Sequence, residues 1–235
     1  MTPSWPEAER AAREHALRDW PHEACGIIEG GVYVPLANSA TDPREAFKLP
    51  PRTFVEHRVE AVIHSHCSDR HDPWPSAADM ASQIETAVPW GIVWAGKDDA
   101  TGPLWWGDFV LDEPLIGRPF QPGIRDCYSL IRAECWQRTA VRLPEFPRDA
   151  NWWSSGGDLL RTGFRPAGFE AIDREEQPGD VLLMRIRSAV PNHCAVVLGN
   201  GLILHHLGNR LSRREPLGPW RRYVTHTLRY VGQTA

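Results

Sequence analysis

Residues 192–206 read Asn192-His193-Cys194-Ala195-Val196-Val197-Leu198-Gly199-Asn200-Gly201-Leu202-Ile203-Leu204-His205-His206. Two apolar runs on either side of a Gly-Asn-Gly turn predict a β-hairpin, His193–Leu198 with Leu202–Leu207, in which His193 opens the first strand. Turn length decides which imidazole meets it. A three-residue loop, Gly199–Gly201, pairs Leu198 with Leu202 and Ala195 with His205, so His205 lies diagonally across from His193 on one face. A two-residue Asn200-Gly201 turn slips the register by one and presents His206 instead. The spacing leaves both open.

Working outward, the Pro178-Gly179-Asp180 turn introduces a strand at Val181–Met184, and a helix is predicted over Tyr128–Thr139 with Asp126-Cys127 at its start. A thiol at a helix N-terminus has its ionised form favoured by the exposed N–H groups and the macrodipole. A nucleophilic thiol also needs an imidazole to take its proton and a third group to orient that ring. Cys127, His193 and a histidine at the end of the hairpin supply those types. Cys25, Cys135 and Cys194 lie among apolar neighbours and read as small core residues.

A second set lies in the other half. Within a predicted strand Val59–His66, alternate side chains share a face, so His64 and His66 project together. Ser76 and Asp79 have S-x-x-D spacing where a helix to about Ala87 begins. That pattern alone is a capping box. With the two imidazoles, Asp79 completes a three-ligand site whose open fourth position suits a water on zinc. Glu23, just before the first strand, is the candidate base for that water. Cys67 and His71, in the loop between, read as surface residues rather than extra ligands.

The remaining pattern divides the chain. A helix over residues 6–19 and strands at Gly26–Ile28, Val32–Leu36, Gly91–Trp94 and Leu104–Leu111 surround the histidine pair. Residues 112–124 hold three prolines and two glycines with no periodicity, the composition of a linker or long loop. The expectation is an α+β protein with domains at 1–111 and 125–235.

Bulk properties narrow the classes. With 24% charged and 42% hydrophobic residues the composition is that of a folded protein. A net charge of -4 gives no long-range attraction to nucleic acid. Arg210, Arg213, Arg214, Arg221, Arg222 and Arg229 enrich the C-terminal segment in positive charge, as a solvated face or a docking surface for an acidic neighbour. Five cysteines without a C-x-x-C pair disfavour a disulfide framework and a cysteine-rich zinc site, and suggest folding in a reducing compartment. The eleven tryptophans are expected mainly in core and rim packing. The first residues lack the basic start and apolar core of a secretory signal, and no run approaches a membrane span.

The order upstream glutamate, His64-Ser65-His66, then Ser76-Ala-Ala-Asp79 resembles the JAMM metallopeptidases over about residues 5–111. That resemblance implies a mixed sheet flanked by helices, Zn2+ on His64, His66 and Asp79, Glu23 as general base and Ser76 as oxyanion stabiliser. Cys67 stands where that pattern has proline, and the loop to Ser76 is longer. Asp-Cys-Tyr-Ser-Leu (126–130), Gln-Pro-Gly-Asp-Val-Leu-Leu-Met (177–184) and the hairpin look like the NlpC-type, papain-like cysteine peptidases of bacterial cell walls. The separation of their second and third catalytic members, twelve positions, lands on His205, giving Cys127, His193 and His205.

The tandem order, with Pro-Trp-Gly-Ile-Val-Trp (89–94) and Leu-His-His-Leu-Gly-Asn-Arg-Leu-Ser (204–212), is similar to the tail-tip assembly proteins of lambda-like siphophages. It implies a virion tail-tip component assembled in the host cytoplasm, with other tail proteins as partners. Its second half would cut peptidoglycan stem peptides and its first would process a tail protein. The alternatives are a structural tail-tip protein with one or both sites inactive, and a free peptidase acting on ubiquitin-like modifiers.

Overall fold

Strands in the computed structural model, which describes residues 4–232, fall into two separate sheets, one in each of two units that divide between Val110 and Leu111. The first unit holds helix Pro6–Asp19 (α1), strands Cys25–Glu29 (β1) and Val32–Leu36 (β2), a short helix Thr53–Glu56 (α2), strand Ala61–Cys67 (β3), helix Ala77–Thr86 (α3), and strands Trp90–Ala95 (β4) and Ala100–Trp106 (β5). Its sheet runs β2-β1-β3-β4-β5. Only β3 and β4 pair in parallel, because α3 returns the chain across the sheet between them. Ala8, Ala12 and Ala16 recur at four-residue spacing on α1, and their small side chains let the helix lie against Ile28, Ile63, Val93 and Trp105.

Two expectations change here. The strand expected at Leu104–Leu111 is shifted: β5 ends at Trp106, Gly107 turns the chain at φ 140, and residues 108–112 form a 3-10 turn. Cys67 is not a surface residue. It is the last residue of β3, buried, with its thiol directed at the Pro21 carbonyl 3.3 Å away. Extending the strand through Cys67 carries it inside before the loop begins.

The second unit comprises helices Cys127–Thr139 (α4) and Leu159–Phe164 (α5) and strands Phe169–Ile172 (β6), Val181–Met184 (β7), His193–Gly199 (β8), Leu202–His205 (β9), Arg213–Pro216 (β10) and Val224–Tyr230 (β11). Its sheet is antiparallel throughout, in the order β10-β9-β8-β7-β11-β6. One face, through Val181, Leu183, Cys194, Val196 and Leu204, packs with Tyr128, Leu130 and Ile131 of α4. The fold class is therefore α+β, with a mixed sheet in one unit and a helix laid on an antiparallel sheet in the other.

Residues 112–124 belong to the second unit rather than standing between two. Gly117 and Arg118 donate backbone N–H groups to Ser212, both at 2.8 Å, and the Arg118 side chain is buried among the carbonyls of Glu113 and Pro114. Of the C-terminal arginines, Arg229 grips Asp180 with two hydrogen bonds, Arg221 pairs with Glu176 and Arg213 with Glu215. These three neutralise local carboxylates instead of forming a free basic face.

Candidate functional sites

The hairpin resolves its turn by combining both sequence alternatives. Asn200 and Gly201 form a two-residue turn, both at positive φ (51° and 70°), which pairs Gly199 with Leu202. A bulge at Leu198 then takes up one residue and restores Ala195 opposite His205. His206 consequently points the other way, fully buried with its ring edge-on to Phe120 at 5.1 Å.

That register brings His193 Nε2 within 3.0 Å of His205 Nδ1. Across β8 from them, Asp126 is the N-cap of α4. Its Oδ1 accepts from the Ser129 N–H at 2.9 Å, and Arg148 donates to both its oxygens at 2.7 and 3.1 Å. Cys127 is the next residue, the first of the helix. Of the five cysteines it alone is not fully buried. Its thiol is held down to about 5, first by the Cys194 thiol that donates to it and then by His193, against the effect of burial. His205 is pulled down to about 4 by burial and by the neighbouring His193, so it is neutral at pH 7.

Three contributors escaped the sequence reading. Cys194 is a core residue as expected, yet it also touches the thiol. Arg148 comes from an irregular stretch with no periodicity. Glu215, on a strand of charged residues, lies 3.4 Å from His205 Nε2 and accepts from Trp220 Nε1 at 2.7 Å. An Arg-Arg-Glu-Pro run carries no apolar signal that marks it as a strand.

In the first unit, β3 and the start of α3 gather His64, His66 and Asp79, whose ligand atoms lie within 4.8 Å of one another. His64 Nε2 is 3.5 Å from Asp79 Oδ1, and His66 Nε2 is 3.4 Å from Asp79 Oδ2. Ser76 caps α3. Its Oγ accepts from the Asp79 N–H and donates to Asp79 Oδ2 at 2.7 Å, while its N–H bonds the same oxygen at 2.8 Å. The capping box thus fixes the carboxylate that faces the histidines. We expect Ser76→Ala to cost about 1 kcal/mol, lowering the first unit's calorimetric transition by about 4–8 °C.

The surroundings fit a cation. Both ring nitrogens of His64 are buried without a hydrogen-bond partner, which is costly unless something binds one of them. Its ring stacks on Phe47 at 4.1 Å, and burial drives its pKa down to about 3, the neutral form a metal requires. His66 donates Nδ1–H to the Asp72 carbonyl at 2.7 Å, which leaves Nε2 to face Asp79. Burial opposes ionisation of Asp79, yet His64 and His66 hold its pKa below the usual carboxylate range.

His66, Ser76 and Asp79 line a cleft of about 620 Å³ together with Glu23, Phe47, Phe54 and Trp90. Glu23 is pushed up to about 8, chiefly by burial. His71 is more than the surface residue expected, since Nε2 lies 3.7 Å from Glu23 Oε1 and its ring 5.4 Å from that of His66. The longer loop folds back over the site rather than outward, held by Trp94 Nε1 donating to the His71 carbonyl.

A partly buried thiol at a helix N-terminus, its pKa lowered by Cys194 and by an imidazole that in turn meets a second one on an antiparallel sheet, marks a cysteine peptidase unit, and residues 117–229 match the NlpC/P60 family. Tail tip assembly protein K of Escherichia phage N15 is 30% identical over 236 residues, covering 94% of this chain and 93% of that protein. Its counterpart in Escherichia phage lambda is 34% identical over 176 residues, 74% of this chain and 82% of that one. The chain belongs to this tail tip assembly protein family. A desampylase from Haloferax volcanii is 35% identical over 82 residues toward the N-terminus, 29% of this chain and 59% of that protein.

Proposed function

We propose that the chain is a phage tail-tip component, built into the virion with other tail proteins, whose second unit is an endopeptidase of peptidoglycan stem peptides. The alignment of Cys127, His193 and His205 carries this reading, and the near full-length likeness to the phage proteins supports its setting. Cys127 attacks the scissile carbonyl as a thiolate. The backbone N–H at the start of α4 faces the developing oxyanion. His193, protonated by the thiol, delivers that proton to the leaving amine and then takes one from the water that releases the acyl group. His205 holds the ring in place. Likeness to the cell-wall enzymes points to the bond between D-glutamate and the diamino acid.

The first unit we read as a zinc-dependent peptidase that processes a tail protein. His64, His66 and Asp79 would hold Zn2+, which would supply Lewis acidity. Glu23, buried at the cleft wall, would serve as the proton acceptor, and Ser76 Oγ lies beside Asp79 where it would donate to an oxyanion.

Two measurements test the reading. Purified full chain should release soluble muropeptides from peptidoglycan sacculi, and elemental analysis should find about one zinc per chain, in keeping with a three-ligand site. No release from sacculi, with the chain present in purified virions, would leave a structural tail-tip role. Absence of zinc after expression with the metal would remove the peptidase assignment of the first unit.

A further inference from the structure

We propose that Glu215 is a positioning residue of the cysteine peptidase site, fixing the tautomer of His205 and, through it, that of His193. The proposal rests on Cys127 as nucleophile with His193 as its base, and on no particular substrate.

Register puts the carboxylate in place. β10 pairs with β9 so that Arg213 is opposite His205 and Glu215 is opposite Ile203, two residues along the same face. Glu215 therefore reaches His205 diagonally. It is held there by two donors besides the histidine. Arg213 Nε lies 2.8 Å from Oε1, and Trp220 Nε1 donates to Oε2 at 2.7 Å. The Trp220 ring also stands edge-on to the His205 ring, with centroids 4.6 Å apart. His205 is walled in by the same tryptophan that anchors its partner.

Hydrogen-bond logic then runs in one direction. An ionised carboxylate accepts and cannot donate. The proton between Glu215 Oε2 and His205 Nε2, 3.4 Å apart, belongs to the imidazole. His205 is neutral, so its other nitrogen, Nδ1, carries a lone pair. That nitrogen is the one 3.0 Å from His193 Nε2, so His193 must donate Nε2–H to it. Only Nδ1 of His193 remains to face the Cys127 thiol and accept its proton. The imidazolium formed on transfer keeps Nε2–H pointed at a lone pair, and both states of His193 are satisfied without rotation. With the opposite His205 tautomer, two N–H groups would meet as soon as His193 became protonated. The role that a carboxylate plays directly behind the histidine in a Ser-His-Asp triad is here relayed through a second ring.

The wild-type full chain gives the first test. Two-bond 1H–15N correlations near neutral pH should show His205 protonated at Nε2 and not at Nδ1. A proton on Nδ1 would overturn the proposal. The second test is the rate of Cys127 alkylation by iodoacetamide, which reads thiolate formation with no substrate. Glu215→Ala should slow it by about 10- to 100-fold, while Glu215→Gln, whose amide oxygen still accepts from Nε2–H, should stay within about 3-fold of wild type. Alkylation of folded Glu215→Ala at the wild-type rate would also sink the idea. Should that variant fail to fold, the wild-type spectrum decides alone. If sacculi are not cleaved but the tautomer and the Glu215 dependence are found, the peptidoglycan reading falls and this one stands.

Discussion

Cys127→Ala is expected to lower cleavage by the second unit by about 10⁴- to 10⁶-fold while leaving the fold intact. Cys127 is partly buried against the core, but alanine keeps its Cβ and loses one sulfur, so the fold should survive the substitution. What disappears is the atom that forms the acyl-enzyme in the proposed mechanism. His193→Ala should fall into the same range, because an undelivered proton and a missing nucleophile block the same step. The double variant should be no worse than either single one, the non-additivity expected of residues acting as a unit. Release of muropeptides, followed by chromatography, reads all three. A Cys127→Ala protein that still cleaves at a tenth of the wild-type rate would remove Cys127 from the mechanism. As a control, Cys25→Ala alters a buried thiol of the other sheet and should leave this activity unchanged.

The parts of the molecule that the sequence discloses are those governed by local rules. Alanine spacing marks α1, a cap residue marks the start of α3 and of α4, and alternation in β3 places His64 and His66 on one face. The site residues in each half follow from those elements. What stays hidden depends on neighbours far along the chain. The bulge at Leu198 cannot be read from composition, since it exists only to reconcile a tight turn with the pairing of β8 and β9. β10, at the sheet edge, and β11, between β7 and β6, are strands of mixed polarity whose stability comes from their ladders, not from an apolar stripe. α5 contains Gly163, a poor helix former, and is held by its contact with Phe146 and the packing of Phe164. Glu215 and Arg148 become meaningful only once the sheet has folded.

Arg148 carries the largest expected effect on stability. It is 4% exposed and donates to Asp126, 7% exposed, and also to Glu145, Ser129 and the carbonyls of Phe146 and Gly123. Removing one partner of such a buried pair leaves a stranded charge, and Arg148→Ala should lose about 3–5 kcal/mol. Urea titration at pH 7 would measure it. The pH dependence has a definite sign. In the wild type, burial raises Asp126 but Arg148 outweighs it, so the folded pKa lies below the unfolded one. The pair's contribution is complete above the unfolded value, about 3.9, and fades as pH falls through the lower folded value. In Arg148→Ala the burial effect is no longer offset by the guanidinium, and the carboxyl can fold protonated in acid. The deficit relative to wild type should therefore be greatest at neutral pH and shrink below about pH 4. Asp126→Asn on the Arg148→Ala background should recover part of the loss, because asparagine still caps α4 through the Ser129 N–H without a charge to neutralise. A deficit that is constant from pH 7 to pH 3, or a double variant no more stable than Arg148→Ala, would show that packing of the guanidinium, and not its charge, anchors the helix that carries Cys127.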